Sequence, residues 1–466
     1  MGVSRLQHHA RQKPAQRPAQ PADPAADLET YRWALATEGR AILVQIVSEP
    51  APESVRLRRL RLFVSGYTAT LHGKRVKLLV RSICEALVND TGLGGAPPLV
   101  NDGGAMGSLA ERLAGGRVAA EFAVWQMDES PQQAWQLPSA TGSACAGLLV
   151  PAAARERQRN ASAGGAGYCV PRPPTGLPLF VHSKDRAADA GTLVPPRAAI
   201  YGRLRGLAEI AERSERESPW ASKKPLAVWR GGNTGGIYTA ANLARMPRAV
   251  LCSFSRRHPT LLDAGFAYVL PHQIDEGGGT AGEGGGARGE GGGAGGEGGG
   301  AAPGSVRAQL ESWSAPFLSH EQQWGFRAIV VVSGNSAPDR LAEQLASNCA
   351  IFWARDESTE AWHDGLKPYV HYLPLRPDLS DLRTQLEELL PNTTLLHRVA
   401  RQSTRFVLRR LSAPRLATDW RLGLRSSLRF GADAAHVVPH NRSAKLYNLT
   451  FMHKASADFS TDCSVG

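Results

Sequence analysis

The chain has 466 residues, of which 42% are hydrophobic and 21% charged, with a formal net charge of +12. That length suits two ordinary domains plus tails, and the balance is that of a globular chain. No stretch reaches the roughly 18 consecutive apolar residues of a membrane helix, and none of the six cysteines forms a Cys-x-x-Cys pair, which argues against zinc and thioredoxin-type chemistry.

Residues 1–27, "MGVSRLQHHARQKPAQRPAQPADPAAD", are rich in Pro, Ala and Gln and read as a disordered tail. They hold no apolar core of a signal peptide, and Leu6 stands where myristoylation wants Ser or Thr. A first domain is expected over 28–205. Within it, "RLRRLRLFVSGYTATLHG" is strand-like, and Val76, Leu79, Ile83 and Leu87 carry helical spacing. Residues 91–115 are Gly/Pro-rich and loop-like. "RVAAEFAVWQM" reads as a strand, and "GLPLFVHSKD" as a short apolar strand ending in polar residues.

A second domain is expected over 206–430, with 431–466 as a tail. "KKPLAVWRGGNTGG" is an apolar strand that runs into Arg230 and a glycine turn. "AIVVVSGNSAPDRLAEQL" repeats the design, and "CAIFWA", "YVHYLPL" and the helix "DLSDLRTQLEELL" follow, with Asp378 or Ser380 placed to cap it. Strands alternating with helices imply a parallel sheet covered on both faces. Between the two strand-turn units, residues 275–304 carry Glu276, Glu283, Glu290 and Glu297 at intervals of seven in a glycine background. Glycine would unravel a heptad coil, so this reads as a disordered simple-sequence insertion. His371, inside "YVHYLPL", reads as a packed histidine.

The positive charge is mostly arginine scattered along the chain, and no nucleic-acid-binding motif accompanies it, which argues against a nucleic-acid partner. Asn-x-Ser/Thr occurs at Asn89, Asn160, Asn392, Asn441 and Asn448, an excess that points to the secretory pathway.

In open α/β sheets, ligands bind outside the carboxyl ends of the strands. Amides at the start of the next helix and its positive dipole end suit phosphate there. The small residues Gly334, Asn335, Ser336 and Ala337 allow close backbone approach, and Arg340 adds a planar fork for phosphate. Arg230 and Gly231 sit at a second strand end, so the two arginines are expected to straddle one diphosphate. An ordinary strand-to-helix turn with a surface arginine is the alternative at each place.

Four segments in order, "KPLAVWRGGNTGG", "SRRHPTLLDAGF", "LSHEQQWGFRAIVVVSGNSAPDRLAEQLASNCAIFW" and "EAWHDGLKPYVHYLPLRPDLSDL", resemble glycosyltransferase family 90. This family takes in capsule-associated and Rumi-type protein O-glucosyltransferases. The resemblance covers roughly residues 175–410. It implies a GT-B type α/β fold, two Rossmann-like domains facing a cleft. It also implies inverting transfer of glucose or xylose from UDP-glucose or UDP-xylose to a hydroxyl of a protein or glycan, with no obligatory metal and no cofactor beyond the UDP-sugar. It places donor contacts on Arg340, on Arg230 with Gly231, and on Glu360 for ribose or uracil, although Glu360 also suits a helix surface. The base implied is an aspartate before an apolar-Pro pair: Asp189, near Val194-Pro195, with Asp185 as rival. Asn233 stands where many members have a second arginine, and Pro196-Arg197-Ala198 replace residues common on the acceptor side. These departures keep open a non-catalytic relative that binds sugar nucleotide or glycan. A monomer in the ER or Golgi lumen is the expected setting.

Overall fold

The computed structural model describes residues 178–185, 192–200, 203–276, 304–425 and 427–430, the strand segments 41–48, 57–65, 118–125, 148–149, 170–171, 445–452 and 461–462, and four helical residues between 79 and 86. Leu79, Ile83 and Ala86 are buried, so the helical spacing read around Leu79 and Ile83 corresponds to a packed face.

The chain begins with β1 (Ala41–Ser48), β2 (Leu57–Ser65) and β3 (Val118–Trp125), then β4 (Leu148–Leu149), β5 (Val170–Pro171), β6 (Leu179–Val181), β7 (Lys184–Asp185) and β8 (Thr192–Leu193). β4 and β5 pair only with each other. β1 lies antiparallel between β2 and β3, and β6 and β8 extend the sheet in parallel from β3. A wholly parallel first half, as a Rossmann-like unit requires, is therefore not what forms. The gap between Ser48 and Leu57 is too short for a helical crossover, which needs a dozen or more residues, so β1 and β2 pair antiparallel.

Helices α1 (Arg197–Ile200) and α2 (Leu207–Glu217) lead into the second sheet. It contains β9 (Lys224–Gly232), with β10 (Tyr238–Thr239) and helix α3 (Pro247–Arg257) before β11 (Leu262–Tyr268) and β12 (Ile274–Asp275). Helices α4 (Val306–Ser312) and α5 (His320–Gln323) precede β13 (Phe326–Val332). Then come α6 (Leu341–Ala346), β14 (Ala350–Ala354), β15 (Ser358–Thr359), β16 (Leu373–Leu375), α7 (Leu382–Leu389) and α8 (Thr393–Arg410). β11, β9, β13, β14 and β16 form a parallel sheet in that order.

Its central strands are buried almost throughout, as a sheet covered on both faces demands. Alternate residues divide between two cores. Ala227, Trp229, Val330 and Phe352 pack with Leu251 and Phe254 of α3. Val228, Ile329, Val331 and Trp353 pack with Leu341 and Leu345 of α6 and Val407 of α8. This is the period-two consequence of the pleat.

The chain then returns to the first sheet. Helix α9 (Ala413–Arg425) brings Trp420 edge-on to Phe180, with ring centroids 6.2 Å apart. β17 (Leu428–Phe430) pairs with β3, and β18 (Lys445–Met452) runs antiparallel along β2 from Leu57 to Val64, with β19 (Thr461–Asp462) beyond it. The segment expected as a tail thus supplies strands, because β2 would otherwise leave an open edge.

Two further elements differ from expectation. α7 begins at Leu382 behind Asp381, not behind Asp378 or Ser380, because Leu379 turns left-handed (φ 59°) and Asp378 accepts from the Ser380 amide instead. His371 lies in a turn before the shorter β16, with Nδ1 accepting from the Lys367 amide and its ring against Phe406. It is packed, as read. Among the described residues no helix is long and apolar enough to cross a membrane.

The glycine insertion lies outside the described residues except at its ends. There Glu276 accepts hydrogen bonds from the Val306 and Arg307 amides at 2.9 and 2.8 Å. Its carboxylate therefore fills the orphan donors at the start of α4 beside the Ser305 cap. The insertion leaves and re-enters the fold at one point. Glu276→Ala is expected to lower stability by about 1 kcal/mol, the usual worth of such a cap. Replacing residues 277–303 with a short Gly-Ser linker should leave Tm unchanged, and thermal unfolding of both variants checks the contrast.

Candidate functional site

In the parallel sheet the strand order reverses between β9 and β13. The first leads out to β11 and the second to β14 and β16. Ligands of open α/β sheets bind at the carboxyl ends on either side of such a switch point. Here those ends carry the two small-residue turns picked out in the sequence.

The turns touch each other. The Gly235 amide donates to Asn335 Oδ1 at 3.0 Å. Gly235 and Gly236 have φ of 100° and 134°, which L side chains rarely adopt. A Cβ on Gly334 would stand 2.6 Å from Arg248 Nη2 and 2.8 Å from Thr234 Oγ1, so any side chain there would displace the Arg248 guanidinium. The Gly334 amide donates to the Ser336 carbonyl, and Ala337 is buried.

Arg340 reaches over the first turn, its Nη2 3.2 Å from where a Cβ of Gly231 would lie. It makes no hydrogen bond or ion pair among the described residues. Burial pushes its guanidinium down to about 10, the neighbouring charge of Arg248 adds to the effect, and Tyr268 and Glu343 partly oppose it. At pH 7 it remains a cation.

Arg248 was not anticipated. Its Nη1 donates to the Gly232 carbonyl at 2.7 Å and its Nε to the Ser333 carbonyl at 3.2 Å, which ties the ends of β9 and β13 together. Burial also lowers its pKa, and no carboxylate is among the groups that raise it again. The one available signal is local: Arg248 follows Pro247 in the first turn of α3, the positive end of the helix dipole, where a cation is disfavoured.

Arg230 is not brought together with Arg340 in the expected way. It is 6% exposed, and its charge is matched by Asp263 at 2.9 Å. Its Nε donates to the Pro316 carbonyl, and Nη1 to the Trp229 and Asp263 carbonyls. Every nitrogen of the guanidinium is engaged, directed towards β11 and residue 316. Asn233 is fully buried and exchanges two hydrogen bonds with the Leu270 backbone, which holds the loop after β11.

On the far side, Asp356 follows β14. Its Oδ1 accepts from Ser333 Oγ at 2.9 Å and from the Ser358 amide at 3.0 Å, and burial raises its pKa. It was also missed, although its place just beyond a strand end could have marked it. Glu360 is 5% exposed and therefore not a helix-surface residue. Its Oε2 accepts from Trp362 Nε1 at 2.6 Å and lies 3.6 Å from His363 Nε2.

β7 crosses to this region. Lys184 and Asp185 pair antiparallel with Thr359 and Ser358, next to Glu360. Asp189 lies outside the described residues, on the segment between Asp185 and Thr192. The start of that segment is fixed by β15 and its end by β8 on β6. Buried His182 braces it, with Nδ1 2.9 Å from the Pro195 carbonyl. Burial lowers the His182 pKa to about 4, partly offset by that carbonyl and by Asp339, the neighbour of Arg340. Among the described residues no three His, Cys, Asp or Glu side chains cluster as a metal site would need. Cys252 and Cys349 are free and buried.

A parallel sheet with apposed glycine turns and two neighbouring arginines at its switch point has the arrangement in which open α/β sheets receive ligands. Residues 201–421 match the family described as Glycosyl transferase family 90. Protein O-glucosyltransferase 1 of Rattus norvegicus is 22% identical over 208 residues, 45% of this chain and 43% of that protein. O-glucosyltransferase rumi of Drosophila pseudoobscura pseudoobscura is 24% identical over 242 residues, 52% of this chain and 49% of that protein. The uncharacterized protein 035R of Invertebrate iridescent virus 3 is 29% identical over 190 residues, 40% of this chain and 15% of that protein. The matched regions span less than half the length of these relatives. Residues 201–421 are thus similar to glycosyltransferase family 90 and distantly similar to protein O-glucosyltransferases.

The depressed pKa of His182 sets a stability slope. The unfolded chain binds a proton near 6.5 and the folded one only near 4, so stability is lost as pH falls through this window. Between pH 7 and pH 5 the loss is expected to be roughly 2 kcal/mol. Denaturant unfolding at the two pH values should show it in the wild type and show a smaller slope in His182→Gln.

Proposed function

We propose that the protein is an inverting glycosyltransferase that moves glucose or xylose from a UDP-sugar to a hydroxyl of a protein or glycan. The carrying observation is the pair Arg248 and Arg340, two neighbouring guanidiniums that form no ion pair among the described residues, with Glu343 acting on Arg340 only at a distance, at the switch point of a parallel sheet. Burying a cation without a counterion is costly, and a diphosphate would remove that cost.

In this reading the diphosphate lies against Arg340 and the backbone of Gly231 and of Gly334, Asn335, Ser336 and Ala337. Arg248 backs the turn with positive charge. The fixed carboxylate of Glu360 serves the ribose or uracil. The halves face each other in the GT-B manner, 28–205 carrying the acceptor and 206–430 the donor. The pairing of Lys184 and Asp185 with β15 supports this by bringing the two segments into register.

The reaction is one in-line displacement. A carboxylate takes the acceptor proton while the acceptor oxygen attacks the anomeric carbon from the face opposite the nucleotide. The bond from that carbon to the β-phosphate oxygen breaks, and UDP leaves with the electron pair. The charge it gains is met by the guanidiniums, without an obligatory metal. Asp189 is the proposed base and Asp185 its rival. The chain works as a monomer in the ER or Golgi lumen, a setting supported by its five sequons. At one of them Asn392 is exposed and caps α8 through Oδ1.

Removing Arg340 is expected to weaken UDP binding by about 10- to 100-fold, the worth of a charged hydrogen bond or two. Stability should hold or rise, because a like-charge contact is relieved. Arg230→Ala should instead lower stability by about 1 to 3 kcal/mol, since it leaves three carbonyls without their donor and breaks an ion pair buried on the arginine side only, and leave UDP affinity nearly intact. Asp189→Ala should abolish transfer and keep UDP binding. Calorimetry with UDP and a UDP-sugar turnover assay separate these outcomes. Full turnover by Asp189→Ala would remove the base assignment. UDP binding with no turnover on any acceptor would favour the non-catalytic relative.

A further inference from the structure

A second cationic feature lies at the opposite end of the parallel sheet. A cavity of about 470 Å³ is lined in part by Trp220, Thr394, His397, Arg398, Arg401 and Arg405. Trp220 precedes β9, so the cavity opens near the amino ends of the strands, away from the turns after β9 and β13.

Arg398, Arg401 and Arg405 are three and four residues apart on α8, which places them on one helix face at axial steps of roughly 4.5 and 6 Å. All three are exposed, and none forms an ion pair with a carboxylate among the described residues. Like charges at these spacings destabilise a helix, so the stripe has a cost that local structure does not offset. Trp220 stacks on His397 with centroids 4.6 Å apart and planes 12° apart, which forms a flat wall beside the arginines. Burial, then Arg401, keeps His397 below its ordinary pKa, with Lys223 acting in the same sense. Glu215 is the carboxylate that faces this wall, and it is hydrogen-bonded to Asn348.

We propose that this cavity is a second anion site, taking a compact ligand with two or three linked phosphoryl groups. Three guanidinium forks in a row match a short phosphoryl chain, because each can hold oxygens bidentately. The volume suits a small ligand. The ligand could be an inorganic oligophosphate, or a nucleotide whose base lies on the Trp220–His397 wall.

The test is calorimetric titration of the full chain with inorganic tripolyphosphate, compared across wild type, Arg401→Gln/Arg405→Gln and Arg340→Ala. The proposal expects wild-type binding that weakens at least about tenfold in the double variant, at an unchanged or higher Tm, and survives in Arg340→Ala. ATP in place of tripolyphosphate distinguishes the sources. Tighter binding that Trp220→Leu reduces to the tripolyphosphate level identifies a nucleotide, and equal affinity identifies the phosphoryl chain alone. The proposal is overturned if wild type binds no tripolyphosphate at millimolar concentration, or if the double variant binds as wild type does. Loss of binding in Arg340→Ala alone overturns it as well.

Discussion

Two guanidiniums held close together, neither in an ion pair with a carboxylate among the described residues and only Arg340 within electrostatic reach of one, Glu343, form the feature on which the site depends. Such a pair is unfavourable in the folded chain alone. It is kept because Arg248 is locked by the carbonyls at the ends of two strands, while Arg340 closes over a glycine where no side chain could stand. The rest of the parallel domain serves to hold that arrangement.

The sheet supplies rigidity from both faces. Trp229 anchors one core and its neighbour Val228 the other, so β9 cannot slip by one residue without turning each core outwards. The connection to the first sheet is made at several points. Phe180 meets Trp420, β7 pairs with β15, and His182 lies within electrostatic reach of Asp339. The segment that bears the proposed base therefore starts at β7, paired with β15 of the second half, and ends at β8, paired with β6 of the first sheet. Two cationic regions at opposite ends of one sheet also account for part of the +12 charge without invoking nucleic acid.

Much of this was legible in the residues. Apolar runs ending in glycine turns give the parallel strands that form, and Arg340 stands beside those turns, where the sequence placed it. Arg248 did not, because its role arises from contacts to carbonyls 16 and 85 residues away along the chain. Arg230 misled for the same reason in reverse: whether a strand-end arginine is free depends on the neighbouring strand, and here Asp263 takes it. The antiparallel start of the first sheet and the return of β18 to β2 are long-range pairings that local periodicity does not encode. Glu276 looked like one of four equivalent repeats, yet it caps α4.

The most direct measurement is the position of the diphosphate in a crystal structure of the chain with UDP. The account predicts phosphoryl oxygens within hydrogen-bonding distance of Arg340 and of the backbone at Gly334, with Arg248 directly behind. A diphosphate bound against Arg230, or elsewhere on the surface with Arg340 uninvolved, would contradict it.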